Sequence, residues 1–237
     1  MIVDAFMWSY ERDAVELRLE TLRSVVDIHV AVQATNDFRG NPREVQSLDT
    51  DFTNVHDIVV TIPDGLSPWE SEKWLRDRVL IEAAKLSPID SWYIISDGDE
   101  IPNPDAITYA VDNDEPMKLM TDYRNFYADW RAVDHVLQHQ PTIAKLPQYR
   151  EVGGANDARW YCPWESSTII GWHLSSLGDT STQKLKTFAH TEYDKPKYHR
   201  KVNVAKDKHR DFLNRFDLEY TEDVPPHTPA HLLGGQI

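Results

Sequence analysis

A single cysteine, Cys162, stands in 237 residues, so no disulfide can close within the chain and a reducing compartment is the default. With no catalytic-type sequence around it, that lone thiol reads as structural. No apolar run approaches the roughly 20 residues that a membrane-crossing helix needs. The first residues, Met1-Ile2-Val3-Asp4-Ala5-Phe6, pattern as a short strand and not as a basic segment followed by a long apolar one. A cytoplasmic protein without membrane association is expected. Positive charge is scarce as well: 25 Lys and Arg stand against 39 Asp and Glu, a net charge of −14, which argues against a general nucleic-acid coat. A phosphate-cradling glycine-rich loop, a calcium-binding EF-hand spacing and Cys/His zinc spacing are all missing.

The scarcity of positive charge is uneven. Residues 184–215 carry ten Lys and Arg against four Asp and Glu, so this segment is +6 and the remainder −20. Such a patch suits a phosphorylated ligand, or is simply the solvated face of a helix. The hydrophobic fraction of 41% suffices for a core at this length. Eight Trp and ten Tyr offer flat faces with polar edges, suited to packing and to stacking on sugars or bases alike.

Periodicity organises the first half. Val3 to Trp8, Ile28 to Ala34, Asp57 to Ile62 and Ser91 to Ser96 pattern as strands. Between them, Glu11 to Val26 repeats apolar residues at helical spacing, and Trp69 to Leu86 forms a long helix introduced by Ser67 and Pro68, a capping residue and a first-turn proline. Strands alternating with helices predict an α/β fold, a central and mainly parallel sheet flanked by helices. After Pro104 the pattern changes to a short helix (Asp105 to Val111), then strand-like pieces at Met117–Met120, Asn125–Arg131, Thr168–Leu174 and Leu185–Ala189. Loops carrying Pro141, Pro147, Gly153-Gly154 and Gly178 separate them, and a smaller mixed β region is expected there. Tyr198 to Phe216 reads as a polar helix, and residues 221–237 as an extended tail.

The sequence Asp97-Gly98-Asp99-Glu100 comes directly after the apolar strand Trp92-Tyr93-Ile94-Ile95-Ser96. In an open α/β sheet, ligands bind beyond the carboxyl ends of the strands. Clustered carboxylates repel unless a cation or solvent relieves them, and hard oxygen ligands suit Mg²⁺ or Mn²⁺. Gly98 would let the backbone turn so that both acids reach one ion, and Pro102 and Pro104 stop the strand and stiffen the loop. An Asp-x-Asp triplet alone is also compatible with a solvated acidic turn.

At this point the chain resembles glycosyltransferase family 17, over about residues 3–194. The likeness rests on blocks in order: Asp4-Ala5-Phe6-Met7, Glu16-Leu17-Arg18-Leu19, Val25-Val26-Asp27, Phe38-Arg39-Gly40-Asn41-Pro42, Trp69-Glu70-Ser71-Glu72 with Arg76-Asp77, Ile94 to Pro102, Gly171-Trp172-His173-Leu174-Ser175, and Phe188-Ala189-His190-Thr191-Glu192-Tyr193. The resemblance implies a single GT-A-like domain. Residues 1–104 would be its nucleotide-sugar-binding half, residues 105–220 its acceptor-binding half, and 221–237 the tail. It also implies a UDP-sugar donor such as UDP-N-acetylglucosamine, a Mn²⁺ or Mg²⁺ ion, and inversion at the anomeric carbon. The acceptor hydroxyl would belong to a glycan, a protein or a small molecule.

Under this resemblance Asp97 and Asp99 are the metal ligands, with His190 as a third. Asp4, Phe6 and Gln33 fall on the nucleotide side, although Gln33 stands where the family pattern has an acid. Arg76 would pair with the diphosphate, a task suited to a guanidinium, unless it and Arg78 serve ordinary ion pairs with Glu72 or Glu82. His173 would orient the sugar or phosphate. Lys184 and Lys186, alternating on a strand, would share a face near His190. Inversion calls for a base to take the acceptor proton, for which Glu165, Glu192 and Asp122 stand open. Trp130, Trp160, Trp164 and Trp172 are candidate stacking surfaces for a sugar. Three other readings are compatible with the residues: sugar transfer to a modified base in DNA, a sugar- or metal-binding module without turnover, and a nucleotidyltransferase.

Overall fold

The computed structural model describes residues 1–48, 50–136, 140–177, 180–211, 213 and 215–235. Its elements in chain order are β1 (Ile2–Met7), α1 (Arg12–Leu22), β2 (Ile28–Ala34), β3 (Val55–Val60), α2 (Pro68–Lys85), β4 (Trp92–Asp97), β5 (Glu100–Ile101), α3 (Pro104–Asp112), β6 (Met117–Lys118), β7 (Thr121–Asn125), β8 (Trp130–Val136), β9 (Thr142–Lys145), α4 (Leu146–Glu151), α5 (Ala155–Tyr161), β10 (Glu165–Ser166), β11 (Gly171–Ser175), α6 (Ser181–Thr187), α7 (Pro196–His199), α8 (Lys201–Asp207) and β12 (Leu218–Tyr220). Short 3₁₀ turns occupy Thr191–Tyr193 and Ala230–Leu232.

A seven-stranded sheet runs β10-β6-β9-β4-β1-β2-β3, and a five-stranded sheet runs β12-β8-β7-β11-β5. In the first, β3, β2, β1 and β4 are mutually parallel, as the alternation of strands and helices predicts. Beyond β4 the sheet is mixed, because β9 runs antiparallel to both β4 and β6. β9 has no signature in the sequence: four residues between Pro141 and Pro147 are too few to show a period. The fold is thus α/β with a mixed, helix-flanked central sheet.

Strand alternation places the core. On β1, Val3, Ala5 and Met7 pack with Leu75, Val79 and Ala83 of α2. Phe6 faces the other way, toward Val15 and Leu19 of α1. Burying each of the larger apolar side chains contributes about 1.5–3 kcal/mol. Helix α2 starts on a reciprocal capping box, Glu70 N–H donating to Ser67 Oγ at 3.4 Å and Ser67 N–H to Glu70 at 2.8 Å, which satisfies two of its first-turn donors.

The second half departs from expectation in several places. Residues 125–131 are not one strand: β7 ends at Asn125, and Phe126 takes a left-handed backbone (φ 68°) before β8 opens at Trp130. The segment 185–189 is not a strand either, since α6 spans Ser181–Thr187 with Leu185 buried. The region expected as one helix over 198–216 is α7, α8 and a bridge from Arg210 to Asp217. Residues 146–161, expected as loop, form α4 and α5. Gly178 lies outside the described residues. The C-terminal segment is fastened down: Leu232 is buried, and the N–H groups of Gly234 and Gly235 donate to Asp129 at 2.8 and 2.9 Å. No described helix is long and apolar enough to cross a membrane.

Candidate functional site

The acidic run is where the chain passes from one sheet to the other. β4 ends at Asp97 in the seven-stranded sheet, and β5 opens at Glu100 in the five-stranded one. The turn between them lies at the carboxyl ends of the parallel strands. Gly98 is required for closeness: a Cβ there would lie 3.1 Å from Cβ of Trp8 and 3.2 Å from the Met7 carbonyl. It is not among the residues of positive φ, so the conformational argument made for it from sequence gives way to a packing one.

Each acid has cationic partners. Arg76 of α2, 1% exposed, donates to Asp97 at 3.0 Å, to Glu72 at 2.9 Å and to Asn156 at 2.8 Å. Arg159 of α5 binds both oxygens of Glu100 at 2.8 and 2.6 Å and stands 3.6 Å from Asp97. Lys184 of α6 donates to Asp99 at 2.5 Å and to Ser175 at 3.2 Å. His173 pairs across the strands with Glu100, its Nε2 3.6 Å from Asp99. Burial pushes the Asp99 carboxyl upward, but the Lys184 ammonium and His173 override it and hold the acid far below the usual range. Asp97 is likewise lowered, burial being outweighed by Arg76 and Arg159. These carboxylates remain charged.

Beneath the turn, Arg18 of α1 acts as a clamp. Fully buried, it pairs with both oxygens of Asp4 and donates to Ser96 Oγ at 2.8 Å. It also donates to the carbonyls of Asp97, at 3.4 Å, and of Glu100. His29 meets Asp4 from β2 at 2.9 Å. Asp4 is lowered to about 2: burial works against its charge, while the Arg18 guanidinium and the hydrogen bonds from Arg18 and His29 more than compensate.

Above the turn opens a cleft of about 330 Å³. Its walls include Asp97, Gly98, Asp99 and His173, and among the described residues the Lys and Arg side chains Arg43, Arg159, Lys184 and Arg215. Aromatic faces line it too, among them Trp8, Phe38, Trp69, Trp160, Phe188 and Tyr193. His190 lies in this wall, edge-on to Trp69 at 4.5 Å between ring centres. Its Nδ1 is 2.8 Å from Glu192. Glu11, also in the wall, accepts from the N–H groups of Ser9 and Tyr10 at 2.8 and 2.9 Å. Burial raises its carboxyl, and the charge of Asp99 adds to the rise.

A family model described as glycosyltransferase family 17 matches residues 1–194. The chain belongs to glycosyltransferase family 17. It is therefore a glycosyltransferase, acting on a donor and an acceptor. No curated protein matches it.

For the family 17 enzyme, the cleft gathers Asp97, Asp99, His173, Lys184 and His190 from the sequence candidates. The others lie elsewhere. Asp4, Phe6 and Gln33 are fully buried. Phe6 lies under the Arg18 guanidinium at 4.7 Å, and Gln33 bonds Asp57 at 3.1 Å; their facing on β1 and β2, not the strand ends, decides this. Arg76 sits behind Asp97, where it holds the acid in place. Arg78 pairs with Glu82 at 2.5 Å, the ordinary ion pair open to it. Lys186 is exposed, because α6 is a helix, on which residues two apart point to nearly opposite sides, and not a strand, on which Lys184 and Lys186 would share a face. Glu165 is exposed on β10 at the sheet edge, away from the cleft wall. Asp122 is bound by Arg124 at 2.9 and 3.0 Å. Glu192 is exposed and reaches the cleft only through His190. Of the four tryptophans singled out as stacking surfaces, Trp160 alone is in the wall; Trp130 and Trp172 are buried, and Trp164 packs on Tyr149. Cys162 is buried and free.

Sequence reasoning missed Glu11, Arg43 and Arg159, and had Arg215 only as one cation of the basic segment 184–215. Arg159 lay in a stretch read as loop, and nothing local distinguishes Glu11 or Arg43 from surface charges.

The expected Mn²⁺ or Mg²⁺ does not fit this donor set. Among the described residues no three His, Cys, Asp or Glu groups converge as ligands. Asp97 is engaged by two guanidiniums and Asp99 by an ammonium, and His190 gives Nδ1 to Glu192.

Proposed function

We propose that this enzyme moves a sugar from a UDP-sugar, such as UDP-N-acetylglucosamine, to a hydroxyl acceptor, with inversion at the anomeric carbon. The observation that carries this reading is the cleft at the carboxyl ends of the parallel strands, where basic side chains and aromatic faces share one wall. A nucleotide-sugar needs both: positive charge for its diphosphate and flat apolar surfaces for base and sugar rings. Arg43, Arg159, Lys184 and Arg215 supply the charge.

The proton of the acceptor hydroxyl goes to His190. With Nδ1–H donated to Glu192, the imidazole presents Nε2 as an acceptor, and the carboxylate steadies the imidazolium that forms. This gives Glu192 the role of orienting the base and not of being it. In the displacement the bond from the anomeric carbon to the diphosphate breaks as the acceptor oxygen bonds from the opposite side.

The test is a panel of nucleotide sugars assayed for binding and for slow hydrolysis. One UDP-sugar should be preferred. His190→Ala should lower turnover by about 10²-fold or more while donor affinity stays within a few-fold. No binding of any nucleotide sugar at millimolar concentration would sink the reading.

A further inference from the structure

We propose that Lys184 stands in for a divalent cation at the donor phosphates, so that this chain binds nucleotide without a metal ion. The inference rests on the glycosyl-transfer reading above. It starts from the misfit between the acidic turn and a metal cage.

The Lys184 Nζ lies 2.5 Å from Asp99 Oδ2. A Mg²⁺ ion on that oxygen would sit at about 2.0–2.1 Å from it and so within roughly 5 Å of the ammonium, and two cations that close repel. The Asp97 carboxylate, the second expected ligand, is spanned by Arg76 and Arg159. Evicting Lys184 would strand a cation whose neighbours are a buried acid and a buried serine.

Packing fixes Lys184 at this position. Leu185, fully buried, anchors α6 in an apolar cluster that includes Tyr123 and Phe126. An ammonium has three donors; Asp99 and Ser175 take two, and one is left for a phosphate oxygen. Lys184 lies in the cleft wall together with Arg159, Arg43 and Arg215. A lysine is a compact point charge well suited to phosphate.

In the transfer the electron pair of the broken bond passes to the diphosphate oxygen, the acceptor oxygen takes its place on the anomeric carbon, and its proton goes to His190. Lys184 stays protonated and faces the charge that builds on the leaving diphosphate. Asp99 then has a role different from that of a metal ligand: it fixes the ammonium.

The experiment is calorimetric titration of UDP, with GDP as comparison, into the whole chain in EDTA and in excess Mn²⁺. The wild type should bind UDP with the same Kd in both, within about twofold. Lys184→Ala should bind roughly 10- to 100-fold more weakly in EDTA, the scale of a lost charge-assisted contact. Mn²⁺ should restore part of that loss, since the vacated space beside Asp99 then admits an ion. Lys184→Arg should keep EDTA-resistant binding. Wild-type binding that vanishes in EDTA and returns with Mn²⁺ overturns the proposal, as does Lys184→Ala binding UDP in EDTA like wild type. Should Lys184→Ala not fold, as read by circular dichroism, the wild-type comparison decides alone. Failure of both nucleotides to bind under either condition overturns the donor reading itself, a result distinct from metal-dependent binding.

Discussion

Replacing Asp4 by Asn tests whether the acidic turn stands on a buried ion pair. Asp4 and Arg18 both have fully buried side chains, so the substitution leaves a guanidinium without its countercharge and out of reach of water. Removing one partner of such a pair costs about 3–5 kcal/mol, a large part of the roughly 5–15 kcal/mol that holds a typical domain together. The pKa gives a second route to the size. Asp4 is lowered to about 2 from an ordinary 3.8, and at about 1.36 kcal/mol per unit this is about 2 kcal/mol. A carboxylate depressed by folding stabilises the protein fully above its unfolded value, and the benefit drains away as pH falls from about 4 through 2. Urea unfolding of wild type and Asp4→Asn from pH 2 to 7 measures both. The variant should lose about 2–5 kcal/mol at neutral pH, lowering the midpoint by about 0.7 M or more, and the gap should narrow toward pH 2. A paired Asp4→Leu, Arg18→Met change should cost at least about 2 kcal/mol less than the two single changes together, yet reduce transfer, because Arg18 also holds the carbonyls of Asp97 and Glu100. A loss below about 1 kcal/mol at neutral pH, or a gap independent of pH, would refute the reasoning.

Two further perturbations bear on the same junction. Gly171→Ala would set a Cβ 2.7 Å from the Asn103 nitrogen and against the Ile101 carbonyl, both backbone; a stability loss of about 2–3 kcal/mol or more is expected, and an unchanged thermal midpoint would contradict the strand pairing of β5 with β11. Arg159→Met strips Glu100, fully buried, of its bidentate partner, and about 3–5 kcal/mol of stability should go with it; Arg159→Lys should rescue little, because an ammonium cannot reproduce the fork, and full rescue by lysine in a denaturation assay would show that charge alone suffices.

How much of this was legible in the sequence depends on where the determining contacts lie. The parallel strands and the start of α2 were readable because their causes are local: apolar periodicity in β1, β2 and β4, and the Ser67–Glu70 cap three residues apart. Asp122 and Arg124, two apart on one strand, share a face by the same rule, so their mutual ion pair was within reach. The pattern failed where a period is too short to declare itself. Lys184-Leu185-Lys186 alternates like a strand, but its single apolar residue fits a helix equally well, and the choice moves Lys186 out to solvent. Arg159 comes soon after Gly153-Gly154, a loop signal, yet α5 begins directly beyond that pair.

The sequence by itself determined the chemistry available and its approximate place: an acidic run after a buried strand, with the ordered blocks of a family 17 glycosyltransferase around it. Only the tertiary structure decided the state of those acids. Asp97, Gly98 and Asp99 form the passage between two sheets, and this brings α2, α5, β11 and α6, from 21 to 85 residues away in sequence, onto three adjacent carboxylates. Charge pairing of that kind depends on side chains meeting through space, which no local pattern encodes. An acidic turn that looked ready for a metal is instead held by lysine and arginine.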